Sequence, residues 1–378
     1  MTLDRQRVLV VSEPMEYGVL SYLERLFAGL DRARWEPALA FSPHRMSVQA
    51  HRLVARLAAD GVRVTRLPFR RRIGLGDAVA VARLLAEVDT FRPDLLHVHS
   101  TKAGVVGRLA GRVRRIPVLY TPHGTSWRYT GRMTGTLQLA VERMLRSATA
   151  LLVSVCHEEA SAFVEEVGFH PASIRIVPNG VAVSEASRLT EARRRTRAAL
   201  GIPPDAVWAV FVGRLTHEKG LDVLLAALAA GTGLDGLLVV GDGAERDALE
   251  TDARRAGVHV RFCGYHEDVS GFLAAADVFV QPSRSEGLPF SVLEAMAHAL
   301  PIAGSAVGGV TSVVDGCGRL VPPGRPGALA ACLRPLARDR GLRRELGAEA
   351  RSRIARKFGV PAMVDALETA YGEATCRA

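Results

Sequence analysis

The stretch "ADVFVQPSRSEGLPFSVLEAMAHAL", residues 276–300, carries the repeating unit of the whole chain. "ADVFVQPS" reads as a short, buried, Val- and Phe-rich strand, "RSEGL" as a polar loop at its carboxyl end, and "PFSVLEAMAHAL" as a helix with Pro289 near its first turn. An apolar strand followed by a loop and an amphipathic helix is the building block of a parallel sheet covered by helices. Working outward, "VWAVFVGRL", "LDGLLVVGDG" and "VRFCG" precede it in the same rhythm, "PIAGS" and "GRLVPPG" follow it, and the tail from about residue 326 reads as helices. Upstream a second series runs through "RVLVVS", "WEPALAFS", "VRVTRLP", "DLLHVHS", "PVLYTPHG", "ALLVSV" and "IRIVPNG", with the first helix at "GVLSYLERLFAGL" (18–30). Between the two series, residues 181–206 contain no strong strand, only an arginine-rich helix ending at Gly201 and a Pro-Pro turn, and read as a linker. With 378 residues the chain accommodates two domains of roughly 150 to 200 residues. The expectation is an α/β protein of two doubly wound, Rossmann-like domains facing a central cleft, with ligands outside the carboxyl ends of the strands.

Composition narrows the function. No apolar run reaches the roughly 18 to 20 residues of a membrane span, and the start "MTLDRQRVLVVSEP" is too short and too acidic for a signal peptide. The reading is a cytoplasmic protein, at most peripheral at the inner membrane face. The five cysteines, Cys156, Cys263, Cys317, Cys332 and Cys376, are scattered and never in a CxxC spacing, which argues against disulfides and zinc. The net charge of +10 is uneven: residues 51–150 hold eighteen Lys or Arg against six Asp or Glu, whereas residues 201–300 hold seven against fourteen. Such a field suits an anionic acceptor or bilayer surface as readily as a solvated arginine face. Few aromatics and no stacking pattern argue against nucleic acid. Only three of the 49 basic residues are lysine (Lys102, Lys219, Lys357), so a lysine here marks a place where a compact ammonium is wanted.

The chemistry-bearing residues cluster at predicted strand ends. Glu286 and Glu294 stand eight positions apart. On a continuous helix that is about 12 Å along the axis, wider than the roughly 5 to 9.5 Å of a hydrolytic carboxylate pair. Two separated acceptors suit two polyol groups of one extended ligand, such as the hexose and the ribose of a nucleotide sugar. The N–H groups of Gly287 and Leu288 and the positive end of the helix after Pro289 favour an anion or sugar oxygens between them. In "FVGRLTHEKGLDVLLAAL" (211–228), Arg214 leaves a strand and Lys219 precedes a helix, a spacing that can clamp a diphosphate and neutralise a leaving nucleotide. "GDG" (241–243) lacks the third glycine of a dinucleotide fingerprint and argues against a nicotinamide cofactor; with "CGYHED" (263–268) it reads instead as a base-pocket loop, placing Gly241 and Tyr265 on the donor side. In "HVHSTKAG" (97–104), His97 and His99 share a strand face without a third ligand for a metal, and Lys102 is a candidate contact to acceptor or phosphate.

The ordered set of Arg214 and Lys219 in "GRLTHEKG" with Glu286 and Glu294 in "EGLPFSVLE" resembles the retaining glycosyltransferases of family four, the glycosyl transferases group 1, over essentially the whole chain. The resemblance implies a GT-B fold and an acceptor-binding domain at 1–183. It further implies a nucleotide-sugar-binding domain at 184–358 and a helix at 359–378 that crosses back to the first domain. It also implies a retained anomeric configuration, no metal, and no cofactor beyond the nucleotide diphosphate sugar, UDP first and GDP second. Residue by residue it implies that Arg214 and Lys219 hold the diphosphate, Glu286 the sugar hydroxyls and Glu294 the ribose, with Gly287, Leu288 and Pro289 lining the sugar pocket. In "TPHGTSW" (121–127) His123 matches the family's active-site histidine, beside the reacting carbon. Gly18 matches a glycine-rich turn on the diphosphate, although Tyr17 replaces the first glycine of the usual pair, and Glu16 and Tyr17 fall on the acceptor side. "VGGVTSVVDG" (307–316) lacks the glutamate that relatives often carry near Ser312. Acceptors implied are a saccharide or lipid-linked molecule in surface polysaccharide or glycoconjugate synthesis, or a small natural product. A sugar-nucleotide epimerase, which needs an acid-base pair at the sugar, and a catalytically silent nucleotide-binding partner are the rival classes.

Overall fold

The structure, a computed structural model, describes residues 5–68, 75–128, 130–183 and 185–376. Two compact units divide the chain: residues 1–179 with 360–378, and residues 180–359. Ser184, where the sequence reading opens the second domain, and residues 377–378, the end of the helix expected at 359–378, lie outside the described residues.

In the first unit the apolar runs become β1 (Gln6–Ser12), β2 (Trp35–Phe41), β3 (Arg63–Arg66), β4 (Leu95–His99), β5 (Val118–Thr121), β6 (Leu151–Ser154) and β7 (Ile174–Ile176). They pair in parallel in the order β3-β2-β1-β4-β5-β6-β7. Val8, Leu9, Val10 and Val11 of β1 are all buried because helices cover both faces, which is why the strand reads as a continuous apolar run rather than an alternation. The helix Ser100–Arg114 lies so close to the sheet that a Cβ on Gly104, Gly107 or Gly111 would collide with Tyr120, Val98 or Val118. The last helix, Val360–Cys376, packs on the helix Tyr17–Gly29 and sends Tyr371 into the core, edge-on to Trp35 with ring centroids 5.1 Å apart.

The second unit holds β8 (Trp208–Val212), β9 (Gly236–Val240), β10 (Val260–Gly264), β11 (Val278–Gln281), β12 (Ile302–Ser305) and β13 (Gly318–Val321), parallel in the order β10-β9-β8-β11-β12-β13. Residues 181–206, read as a linker around an arginine-rich helix, do contain that helix, Ala186–Ala199, and it is packed into this unit. Its anchor is ionic rather than apolar, so hydropathy alone does not reveal it. Arg193 and Arg197 reach the two carboxylate oxygens of Asp277 at 2.6 and 3.2 Å, and Arg193 also donates to the carbonyls of Ala274, Ala275 and Ala276. Cys156, Cys317 and Cys332 are buried free thiols. Among the described residues no helix is long and apolar enough to cross a membrane.

One buried polar group in the first core has a measurable cost. Arg108, fully buried, pairs with the equally buried Glu142 at 2.8 Å and lies over the ring of Tyr120, whose hydroxyl donates to the same carboxylate. Breaking such a pair leaves one buried charge without compensation. Arg108→Met should therefore lower stability by about 3 to 5 kcal/mol, read as a shift of the urea midpoint, whereas Arg108→Met with Glu142→Leu should lose much less. A loss in the double variant equal to the sum of the losses in Arg108→Met and Glu142→Leu would show that the pair is not coupled.

Candidate active site

In each unit the strand order reverses once. The connections from β8 and from β11 leave in opposite directions, and the strand ends where they part are the usual ligand site of a doubly wound sheet. Arg214 and Lys219 follow β8, and Glu286 follows β11. The ammonium of Lys219 donates to both oxygens of Glu286, at 2.6 and 2.9 Å. The same carboxylate accepts from the amide of Gln281 and the hydroxyl of Ser283, each at 2.7 Å. Both helpers are fully buried, and Lys219 and Glu286 keep only 18% and 8% of their side-chain surface. A carboxylate gripped by an ammonium and two neutral donors has a fixed orientation.

Backbone contacts hold the surrounding loops in register. Gly220 has φ 66°, and any Cβ there would strike the carbonyl oxygen of Pro282, so the turn after β8 sits directly on the chain leaving β11. Arg284 adds a backbone bond to the Glu218 carbonyl at 2.8 Å and a bidentate contact to Asp222 at 2.8 and 2.6 Å, and its hydrogen bonds hold the Asp222 carboxyl below the usual range. Gly241, with φ 140°, lies against the Gly213 carbonyl and donates its N–H to Gly264 at 2.7 Å, so the "GDG" and "CGYHED" segments meet, with Tyr265 half exposed beside them. The Gly287 carbonyl accepts from Gly309 at 2.7 Å, and Leu288 is buried. Pro289 caps the helix Phe290–Ala297 without a side-chain hydrogen bond, and Glu294 lies inside that helix, half buried. Arg214 is exposed.

The first unit reverses between β1 and β4, where Ser12 pairs in register with His99. There three imidazoles gather. His123 Nε2 lies 3.0 Å from His99 Nδ1, with the rings stacked at 22°, and the His97 ring lies 4.0 Å from that of His99. His97 is held at both nitrogens, by the Tyr371 hydroxyl at 2.7 Å and the Thr121 hydroxyl at 2.9 Å. Tyr22 meets all three rings edge-on. Burial keeps these histidines neutral: it pushes His97 and His99 well below the ordinary imidazole range and His123 down to about 3. His123 itself has φ 59°, an uncommon backbone state that surrounding structure must hold. Part of that hold is the buried Glu159, which accepts from the N–H of Gly124 and from Ser154 and Val155.

After β1, Arg45 grips Glu13 at 2.9 Å and Glu16 at 2.5 Å, and burial raises the Glu13 carboxyl despite that partner. At the expected glycine-rich turn Gly18 sits in the first turn of a helix, and the positive φ of 51° belongs to Tyr17. Lys102 is paired with Asp77 at 2.8 Å, largely out of solvent.

The structure thus joins Lys219 and Glu286, which the sequence reading gave separate duties, into one ion pair. Gln281, Ser283, Arg45 and Glu159 escaped that reading, and His99 entered it only as one of two imidazoles too few to hold a metal. The signal available for Gln281 and Ser283 was polarity at the end of an otherwise apolar strand; Arg45 and Glu159 carried none.

Two doubly wound parallel units with polar side chains at both strand-order reversals are the architecture of a GT-B glycosyltransferase. Residues 206–339 match the family profile described as glycosyl transferases group 1, and residues 17–180 match a glycosyl transferase 4-like domain. The chain belongs to the group 1 glycosyl transferases. It is 31% identical over 337 residues to the 2-deoxystreptamine N-acetyl-D-glucosaminyltransferase of Streptomyces fradiae, covering 81% of this chain and 80% of that one. It is also 31% identical over 237 residues to the putative teichuronic acid biosynthesis glycosyltransferase TuaC of Bacillus subtilis, covering 62% of this chain but only 59% of TuaC. In fold it is similar to HepE of Anabaena, solved in complex with UDP, with a TM-score of 0.81 at 21% identity over 97% of this chain and all of that one.

The neutral histidines predict how acid affects the protein. An unfolded imidazole takes up a proton near pH 6.5, whereas these stay neutral to much lower pH, about 3 for His123. Their contribution to stability is complete above about pH 6.5 and is lost as pH falls towards the folded values, at up to about 1.4 kcal/mol per pH unit for each ring. Thermal melts from pH 7.5 to 5 should show a falling Tm, with a shallower fall in His99→Asn. An identical slope in the two proteins would contradict buried neutrality of His99.

Proposed function

We propose that the chain transfers a hexose from a UDP-sugar to an acceptor hydroxyl with retention of configuration and without a metal. The observation that carries this reading is the Lys219–Glu286 pair, locked by Gln281 and Ser283 at the strand-order reversal of the second unit. An ammonium has three donors, so Lys219 can hold Glu286 and a donor oxygen together. In this reading Arg214 and Lys219 stabilise the leaving diphosphate, which needs no acid if its charge is met as it develops. Glu286 holds sugar hydroxyls and offsets positive charge on an oxocarbenium-like ring. Glu294 takes the ribose, Gly241 and Tyr265 flank the base, and the backbone of Gly287, Leu288 and Pro289 lines the sugar. His123 acts near the reacting carbon as a neutral hydrogen-bonding group, which its burial supports. The leaving diphosphate is the base for the incoming hydroxyl. Gly18 brings the backbone towards the donor diphosphate, and Glu16, Tyr17 and Lys102 belong to the acceptor side.

For the acceptor we favour a saccharide or lipid-linked molecule of cell-surface glycoconjugate synthesis, delivered at an inner membrane face. The basic excess in residues 51–150 supports this, as does the helix Arg132–Leu145, which exposes Met133, Leu137 and Met144 next to Arg132 and Arg143. TuaC, named for teichuronic acid, fits that class. A small natural product is the second reading, favoured by the longer match to the 2-deoxystreptamine transferase.

Glu286→Gln should cut kcat by about 100-fold with donor affinity changed no more than about threefold, and Lys219→Ala should weaken both by about 100-fold or more. Full activity in both variants would reject the site. Thermal shift against UDP- and GDP-sugars should show stabilisation by a UDP-sugar above all, and turnover with that donor should persist in EDTA. Loss of activity in EDTA that magnesium restores would contradict a metal-free transfer.

A further inference from the structure

We infer that His99 is a positioning residue that fixes the tautomer of His123, leaving His123 with its proton on Nδ1. The inference rests on His123 being the sugar-facing histidine only for its catalytic consequence, not for the tautomer itself. His99 Nδ1 and His123 Nε2 are 3.0 Å apart, so one proton lies between them, and each neutral ring carries one proton in all. Which ring owns the shared proton follows from the other nitrogen of His99. Its Nε2 is buried and meets no hydrogen-bond partner among the described residues. With the proton on Nε2, a buried N–H would be orphaned; with the proton on Nδ1, only a lone pair is. Orphaned buried N–H groups are the rarer and costlier case. His99 is therefore the donor, His123 Nε2 the acceptor, and the single proton of His123 sits on Nδ1.

The geometry leaves His99 little room to choose otherwise. The His97 ring lies on it, and His97 is pinned at both nitrogens by Tyr371 and Thr121. Tyr22 closes the cluster edge-on to His99 at a centroid distance of 5.3 Å. The backbone of His123 is fixed in its positive-φ state, with Gly124 beyond it at φ 128° and bound by Glu159. The position of the proton is the remaining freedom at His123, and His99 removes it. The result is an Nδ1–H that donates to an electronegative group such as a sugar oxygen, and that cannot serve as a base through the same atom.

The test is a two-bond 1H–15N correlation spectrum of the full chain with 15N-labelled histidine at pH 7.5. The expected pattern for His123 is a pyrrole-like Nδ1 and a pyridine-like Nε2; the reverse pattern overturns the inference. Kinetics gives a second readout. His99→Asn, whose amide N–H stands near the place of Nδ1–H, should lose no more than about threefold in kcat, whereas His99→Phe keeps ring bulk without a donor and should lose about 10-fold or more with donor KM little changed. Equal kcat in the Asn and Phe variants overturns the positioning role. If His99→Phe does not fold, the wild-type spectrum alone decides. A fully active His123→Ala would overturn the sugar-facing reading of His123 while the spectrum still judges the tautomer.

Discussion

Everything functional in this chain depends on one topological constraint, the single reversal of strand order in each parallel sheet. Where neighbouring strands send their connections in opposite directions, no helix can cover the gap between them, and polar side chains at the strand ends need not be buried in a core. In the second unit that gap lies between β8 and β11, and the loops leaving those strands bring Lys219 to Glu286. In the first it lies between β1 and β4, where Glu13 and His99 stand at the strand ends. The same constraint acts twice on different side chains, giving an ionic cluster in one unit and a neutral imidazole cluster in the other.

The two clusters differ in how they are held, and that difference follows from burial. Glu286 keeps its charge partner and adds two neutral donors, an arrangement that fixes the orientation of the carboxylate. The histidines are kept neutral by desolvation. A neutral ring donates or accepts according to its tautomer, so positioning there is a matter of hydrogen-bond bookkeeping rather than of charge.

The architecture was legible from sequence because a strand buried on both faces writes itself as an unbroken apolar run, as in "RVLVVS" and "ADVFVQPS". Lys219 was legible because lysine is scarce in this chain, and Glu286 because it follows such a strand. Their direct pairing was not legible, since sequence spacing says nothing about two loops sixty-seven residues apart meeting at 2.6 Å. The helix Ala186–Ala199 was legible as an arginine-rich helix, but its packing was not, because arginines reaching Asp277 and helix-end carbonyls leave no apolar signature. The histidine cluster was half legible: the strand face of His97 and His99 is a matter of alternation, but the third ring arrives from the turn after β5, in a backbone state that sequence did not forecast for His123.

The measurement that bears most directly on this account is the crystal structure of the full chain with bound UDP. Diphosphate density is expected against Arg214 and Lys219 at the carboxyl ends of β8 and β11, with the ribose within hydrogen-bond distance of Glu294. Density for UDP at any other place on the second unit, for instance at the amino ends of the same strands beside Arg193 and Asp277, would contradict it.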